Sequence, residues 1–132
     1  METKFNSQIC TTREQSERLL ALGLKKETAD MCIYRNVEFA FPCPDNEFIP
    51  AWSLSRLLCM LRSAIPLSED FPSFHKFAHL RLCTVAVSYE YDDYDGEERI
   101  LVYFNGNGFF AAVVDAIEWL IKEGYFNKEY LV

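Results

Sequence analysis

Between a run rich in β-branched and aromatic residues and a long apolar-striped segment, the chain reads Gly106-Asn107-Gly108-Phe109-Phe110-Ala111. This is the G-x-G-x-x-G/A spacing of a turn in which backbone N–H groups cradle a pyrophosphate at a helix N-terminus. A dinucleotide fold also needs a parallel strand on each side of that helix. Here the preceding strand reads as half of an antiparallel hairpin. The expected structure is a strand-to-helix turn with Asn107 as N-cap, and nucleotide or small-molecule binding at Gly106–Gly108 stands as an alternative function.

His75 and His79 are four apart, the spacing at which two imidazoles on one helical turn share a zinc ion, and Cys83 lies nearby. Structural zinc takes four ligands, and no paired cysteines stand upstream at finger spacing. Asp93-Tyr94-Asp95-Gly96 has the middle of a calcium loop, but setting Gly96 at loop position six puts Tyr91 and Val102 where Asp and Glu are required. No metal ligand and no cofactor is assigned. The nucleophiles are scattered, and no serine or cysteine sits in a strained elbow such as G-x-S-x-G. Cys59, between Arg56 and Arg62, has the most thiolate-friendly neighbourhood. No catalytic residue is assigned, and the reading leans away from an enzyme.

The elements that would position these groups follow from periodicity. Thr11 or Thr12 caps a first helix, with Glu14 or Gln15 completing a capping box, Leu19 and Leu20 facing inward and Gly23 closing it. A helical turn over Lys25–Met31 and a hairpin over Cys32–Phe41, turning at Arg35-Asn36, come next. Ser53 caps a second helix with an apolar stripe at Leu54, Leu57, Leu58, Leu61 and Ile65, stopped by Pro66. Residues 66–79, with two prolines and three phenylalanines, read as irregular.

A type I′ turn at Asp95-Gly96 then sets a hairpin register pairing Tyr91 with Ile100, Tyr89 with Val102, Val87 with Phe104 and Asp92 with Arg99. A third helix runs to about Glu123, with Phe110, Val113, Val114, Ile117, Leu120 and Ile121 buried and Gly124 as its stop. The expected fold is a single α+β domain over residues 1–132, order α-ββ-α-ββ-α, with about three main helices on a small, mainly antiparallel sheet.

Composition bounds function. The net charge of −7 is uneven: −2 over residues 1–50, +2 over 51–81 and −7 over 82–132. An acidic chain cannot neutralise phosphates generally, so no direct nucleic-acid binding is expected. No segment has the length and apolarity of a membrane span, the start METKFNSQIC has no apolar signal core, and the five cysteines are odd in number and unclustered. Together these point to a cytoplasmic protein with reduced thiols. Twenty aromatic residues in 132 exceed what so small a body easily hides, which leaves a homodimer or a partner-binding patch open. Trp52, Arg56 and Arg62 form the favoured interaction surface, on the outer side of the second helix; Asp93 and Asp95, at the acidic hairpin tip, form the second. Trp52 has a plainer role too, as a staple at the start of its own helix.

Three segments resemble a family: Glu14-Gln15-Ser16 through Leu22-Gly23-Leu24 to Thr28-Ala29-Asp30-Met31, then Pro50-Ala51-Trp52-Ser53-Leu54-Ser55-Arg56-Leu57-Leu58, and Asp115-Ala116-Ile117-Glu118-Trp119-Leu120-Ile121-Lys122-Glu123-Gly124-Tyr125-Phe126. They are similar to uncharacterised small proteins carried by prophages and other mobile elements of gut Bacteroidales bacteria. The resemblance implies a bacterial cytoplasm and an accessory role for a mobile element, and it carries over no site residue. The expected function is non-catalytic protein–protein interaction, with an acidic mimic of nucleic acid, binding a nucleic-acid-binding protein, as a further alternative.

Overall fold

The computed structural model describes residues 8–132. The described residues form an α+β protein with three α-helices and two antiparallel sheets. The chain divides into two compact units. The first holds the described residues up to Cys59 together with Tyr130–Val132, and the second holds Met60–Glu129.

In the first unit, α1 spans Arg13–Ala21. Its capping box is reciprocal: Gln15 N donates to Thr12 Oγ1 at 3.1 Å, and Thr12 N donates to Gln15 Oε1 at 3.0 Å. Gly23, at φ +101°, lets the chain reverse so that Leu24 N donates to the Leu19 carbonyl and Gly23 N to that of Leu20. Leu19 is fully buried, whereas Leu20 is only half-buried. The helical turn that follows is a short 3₁₀ segment, Lys26–Thr28, because Met31 already belongs to strand β1, Met31–Tyr34.

Arg35 and Asn36, at φ +51° and +62°, make the tight turn into β2, Val37–Phe39. A third strand, β3 (Ile49–Ala51), pairs with the other side of β1, where the sequence shows no strand pattern. Pro50 at its centre disguises it, since a residue without an N–H is tolerated only at a sheet edge, which is where β3 lies. Cys10, Met31, Ile33 and Ala51 form a buried cluster here.

Helix α2 spans Leu54–Met60, capped by the Ser53 hydroxyl, which accepts from Arg56 N at 3.1 Å. It stops earlier than its apolar stripe implies. Ala64–Pro66 is instead strand β4, with Ile65 fully buried in it. A residue before proline is driven out of helical backbone, and a β-branched one prefers the strand.

The second unit is a four-stranded sheet in the order β4-β5-β6-β7, with β5 at Phe77–Leu82, β6 at Val87–Asp92 and β7 at Glu98–Phe104. Residues 77–79, expected to be irregular, are therefore strand. Helix α3, Phe109–Lys122, packs on β6 and β7. The rings of Tyr89 and Phe104 each lie 6.1 Å from that of Trp119. Phe110, Val113, Val114, Ile117 and Leu120 are buried as the stripe requires, while Ile121 is half-buried. Glu118 and Lys122 pair at 3.1 Å on the wet side.

The β6–β7 hairpin departs from the expected register near its tip. Gly96 N donates to the Asp93 carbonyl, Asp93 N donates to that of Glu97, and Gly96 sits at φ +79°. The connection is thus a three-residue loop over Tyr94-Asp95-Gly96, a type I turn followed by a left-handed glycine. The extra residue is absorbed by a bulge at Leu101. Val87 and Tyr89 keep their expected partners, but Ile100 faces Glu90, Arg99 faces Tyr91 and Glu98 faces Asp92.

Candidate functional site

The favoured surface does not form. The Trp52 side chain is 0% exposed. Its indole Nε1 donates to Thr28 Oγ1 at 3.0 Å, and its backbone N donates to Thr11 Oγ1 at 3.0 Å. Arg56 is exposed, but its Nε donates to the Thr28 carbonyl at 2.7 Å and so pins the 3₁₀ turn. Arg62 lies beyond the end of α2, in the second unit, where its carbonyl accepts from Tyr89 Oη at 2.7 Å. Because the helix ends a turn early, these three residues do not share one basic helical face. Ser53 is likewise committed, its N and Oγ donating to the two oxygens of Asp30.

At the hairpin tip, Asp93 works inward. Its Oδ1 accepts from Asp95 N at 2.9 Å and Glu97 N at 3.0 Å, and its Oδ2 accepts from Arg99 Nε at 2.8 Å. The Arg99 bond holds the Asp93 carboxyl below its ordinary range, and the two backbone donors add to that effect. The Asp95 side chain remains exposed. Arg81 bridges Glu90 at 3.3 Å and Glu98 at 3.1 Å across the sheet. The acidic run is therefore partly neutralised by its own arginines.

In the glycine turn, Gly106 lies against α3 while Gly108 has open space around it. A Cβ on Gly106 would lie 3.0 Å from Ala111 Cβ and 3.2 Å from Asp115 Oδ2, so a small residue is needed for the strand to meet its own helix. The N-cap is Gly108 at φ +100°, with no side-chain cap, so Asn107 does not fill that role. A carboxylate beside the turn also opposes a phosphate. His75 lies in the loop before β5, and His79 is within that strand, opposite Glu90. The helical premise for a shared ion is thus absent. Among the described residues no group of three or more His, Cys, Asp or Glu side chains is placed to hold a metal.

All five cysteines are free. Cys10 and Cys32 are buried, and Cys59 and Cys83 are exposed. Burial pushes the Cys10 thiol up to about 11, with the carboxylates of Glu38 and Asp30 adding to it. Burial also raises Cys32. Neither is an activated nucleophile. A groove of about 490 Å³ in the first unit is walled by Leu20, Phe48, Pro42 and Pro50, with Lys26 at its rim. The Cys43 thiol in it donates to the carbonyls of Asp45 and Phe48 at 3.1 and 3.2 Å.

The surface that does assemble is the side of the four-stranded sheet turned away from α3. Strand pairing places Phe77, His79 and Arg81 of β5 on this side with Ser88 and Glu90 of β6 and with Ile100 and Tyr103 of β7. Ile100 is 59% exposed, and Phe77 and Tyr103 are each 50% exposed. Three large apolar side chains thus flank the Arg81–Glu90–Glu98 ion-pair row. The expected register hid this face, because pairing Ile100 with Tyr91 turned it inward. A bulge shifts the register by one residue, which moves side chains to the opposite face.

Among the described residues no helix is long and apolar enough to cross a membrane. No family model, no curated protein and no solved structure matches the chain.

Proposed function

We propose that this is a non-catalytic protein–protein interaction module whose docking surface is the open face of the four-stranded sheet. The observation that carries the reading is the half-or-greater exposure of Phe77, Ile100 and Tyr103 on one uncovered sheet face. Exposed aromatic side chains with an arginine among them are residue types enriched at interface centres. The acidic balance of the chain speaks against phosphate backbones as the partner. The free thiols fit a reducing bacterial cytoplasm, and the sequence resemblance supports an accessory role for a mobile element in that setting.

The test is capture of tagged protein from a nuclease-treated lysate of its own host, compared with Phe77→Ser/Ile100→Ser. One stoichiometric partner retained by the wild type and lost by the double variant, with far-UV circular dichroism unchanged, is the expected result. Equal retention by both proteins would overturn this surface.

A further inference from the structure

Strand register orders the open face of the four-stranded sheet. Arg81, Ser88 and Tyr103 lie side by side across β5, β6 and β7, and His79, Glu90 and Ile100 lie next to them. The same register sets Phe77 opposite Asp92, whose other neighbour is Glu98. Asp92 and Glu98 are thus carboxylates directly opposite each other on adjacent strands, an unfavourable pair in the free protein. Arg81 reaches Glu98 at 3.1 Å and Glu90 at 3.3 Å. Asp92 is exposed and makes no ion pair among the described residues. Arg81 therefore stands alone against Glu90, Asp92 and Glu98, and the surplus of negative charge lies among the exposed side chains of Phe77, Ile100 and Tyr103.

We propose that the occupant of this face is a basic protein surface, which sets an arginine between Asp92 and Glu98 and apolar side chains against Ile100 and Tyr103. The proposal rests on the interaction reading above and names the chemistry of the partner. Charge complementarity selects it. A second copy of the chain brings the same surplus of carboxylate, and a phosphate backbone or an anionic lipid surface also meets like charge. A guanidinium answers both features of the face. Its planar fork matches carboxylates, and its flat side stacks on an aromatic ring such as that of Phe77.

The repulsion between Asp92 and Glu98 is relieved when a cation arrives between them, so the face discriminates by charge as well as by fit. The attraction acts at long range and speeds encounter at low salt, and the apolar side chains hold the docked pair.

The experiment titrates the full, isotope-labelled chain with two synthetic peptides and follows backbone amide shifts by NMR. One peptide alternates arginine with valine, the other glutamate with valine. The expected result is saturable binding of the arginine peptide with a Kd below about 1 mM, the largest shifts falling in β5, β6 and β7, and no response to the glutamate peptide. Asp92→Asn/Glu98→Gln should weaken binding at least about tenfold. Glu27→Gln/Glu47→Gln, an equal loss of charge at exposed positions of the first unit, should leave it unchanged. Dispersed amide spectra of the free variants establish that both fold. No binding at about 1 mM, shifts centred elsewhere, or equal weakening by the two double variants overturns the proposal. A host partner lost by Phe77→Ser/Ile100→Ser but kept by Asp92→Asn/Glu98→Gln overturns the basic partner alone and leaves the interaction reading standing. A chain that binds neither peptide and captures no host protein removes both.

Discussion

The Trp52 indole donates to Thr28 Oγ1 at 3.0 Å, and the same hydroxyl donates to the Lys25 carbonyl at 2.6 Å. One threonine thus satisfies a fully buried indole and closes a 3₁₀ turn from the inside. Trp52→Ala should cost about 3–5 kcal/mol through the cavity it leaves. Thr28→Val should cost about 1–3 kcal/mol, because it strands a buried N–H. The same Thr28 change should cost less in a Trp52→Phe background, where no indole donor remains. Urea midpoints of the four proteins measure this coupling, and strictly additive effects would refute it.

Asp93 ties the β6–β7 loop through three donors, and Arg99 lowers its carboxyl. A folded pKa below the unfolded one stabilises fully above the ordinary Asp value of about 3.9 and loses that stabilisation as pH falls through the folded value. Asp93→Asn should lower the urea midpoint at neutral pH and flatten its fall on acidification below about pH 4. Parallel midpoint-versus-pH curves for the two proteins would disprove this.

At the alkaline end the signs reverse. Burial raises Cys10 to about 11 and raises Tyr89 above its ordinary value. The stability these groups carry is complete below their unfolded pKa values, about 8.5 and 10, and is lost as pH rises through the folded ones. Cys10→Ala should therefore reduce the loss of stability between about pH 9 and pH 11. Mass spectrometry of iodoacetamide-treated native protein should show modification of Cys59 and Cys83 well before Cys10 and Cys32.

Gly124 and Gly106 are needed for different reasons. Gly124 sits at φ +79° with open space around it, so Gly124→Ala should cost about 1 kcal/mol of backbone strain alone. Gly106→Ala would drive a Cβ to 3.0 Å from Ala111 Cβ, and should perturb the packing of α3 on the sheet. Near-UV circular dichroism, which reports the Trp119 and Tyr89 environments, should change for Gly106→Ala and not for Gly124→Ala.

Local chemistry by itself determined both ends of α1, the C-terminal end of α3 and one turn of this protein. A Thr12–Gln15 box, glycines at 23 and 124, and Arg35-Asn36 act within a few residues of themselves, so no distant partner can override them. The stripe of α3 was equally legible, because its period is intrinsic to the helix. Tertiary structure decided what depends on pairing: that Pro50 sits in an edge strand, that Ile65 leaves α2 for β4, and that a bulge at Leu101 turns Ile100 outward. It also placed Trp52 inside, where Thr28 and Thr11 meet it from elsewhere in the chain. A strand's register carries no local energy of its own; it is fixed only when the neighbouring strand arrives, and with it the face that each side chain shows to solvent.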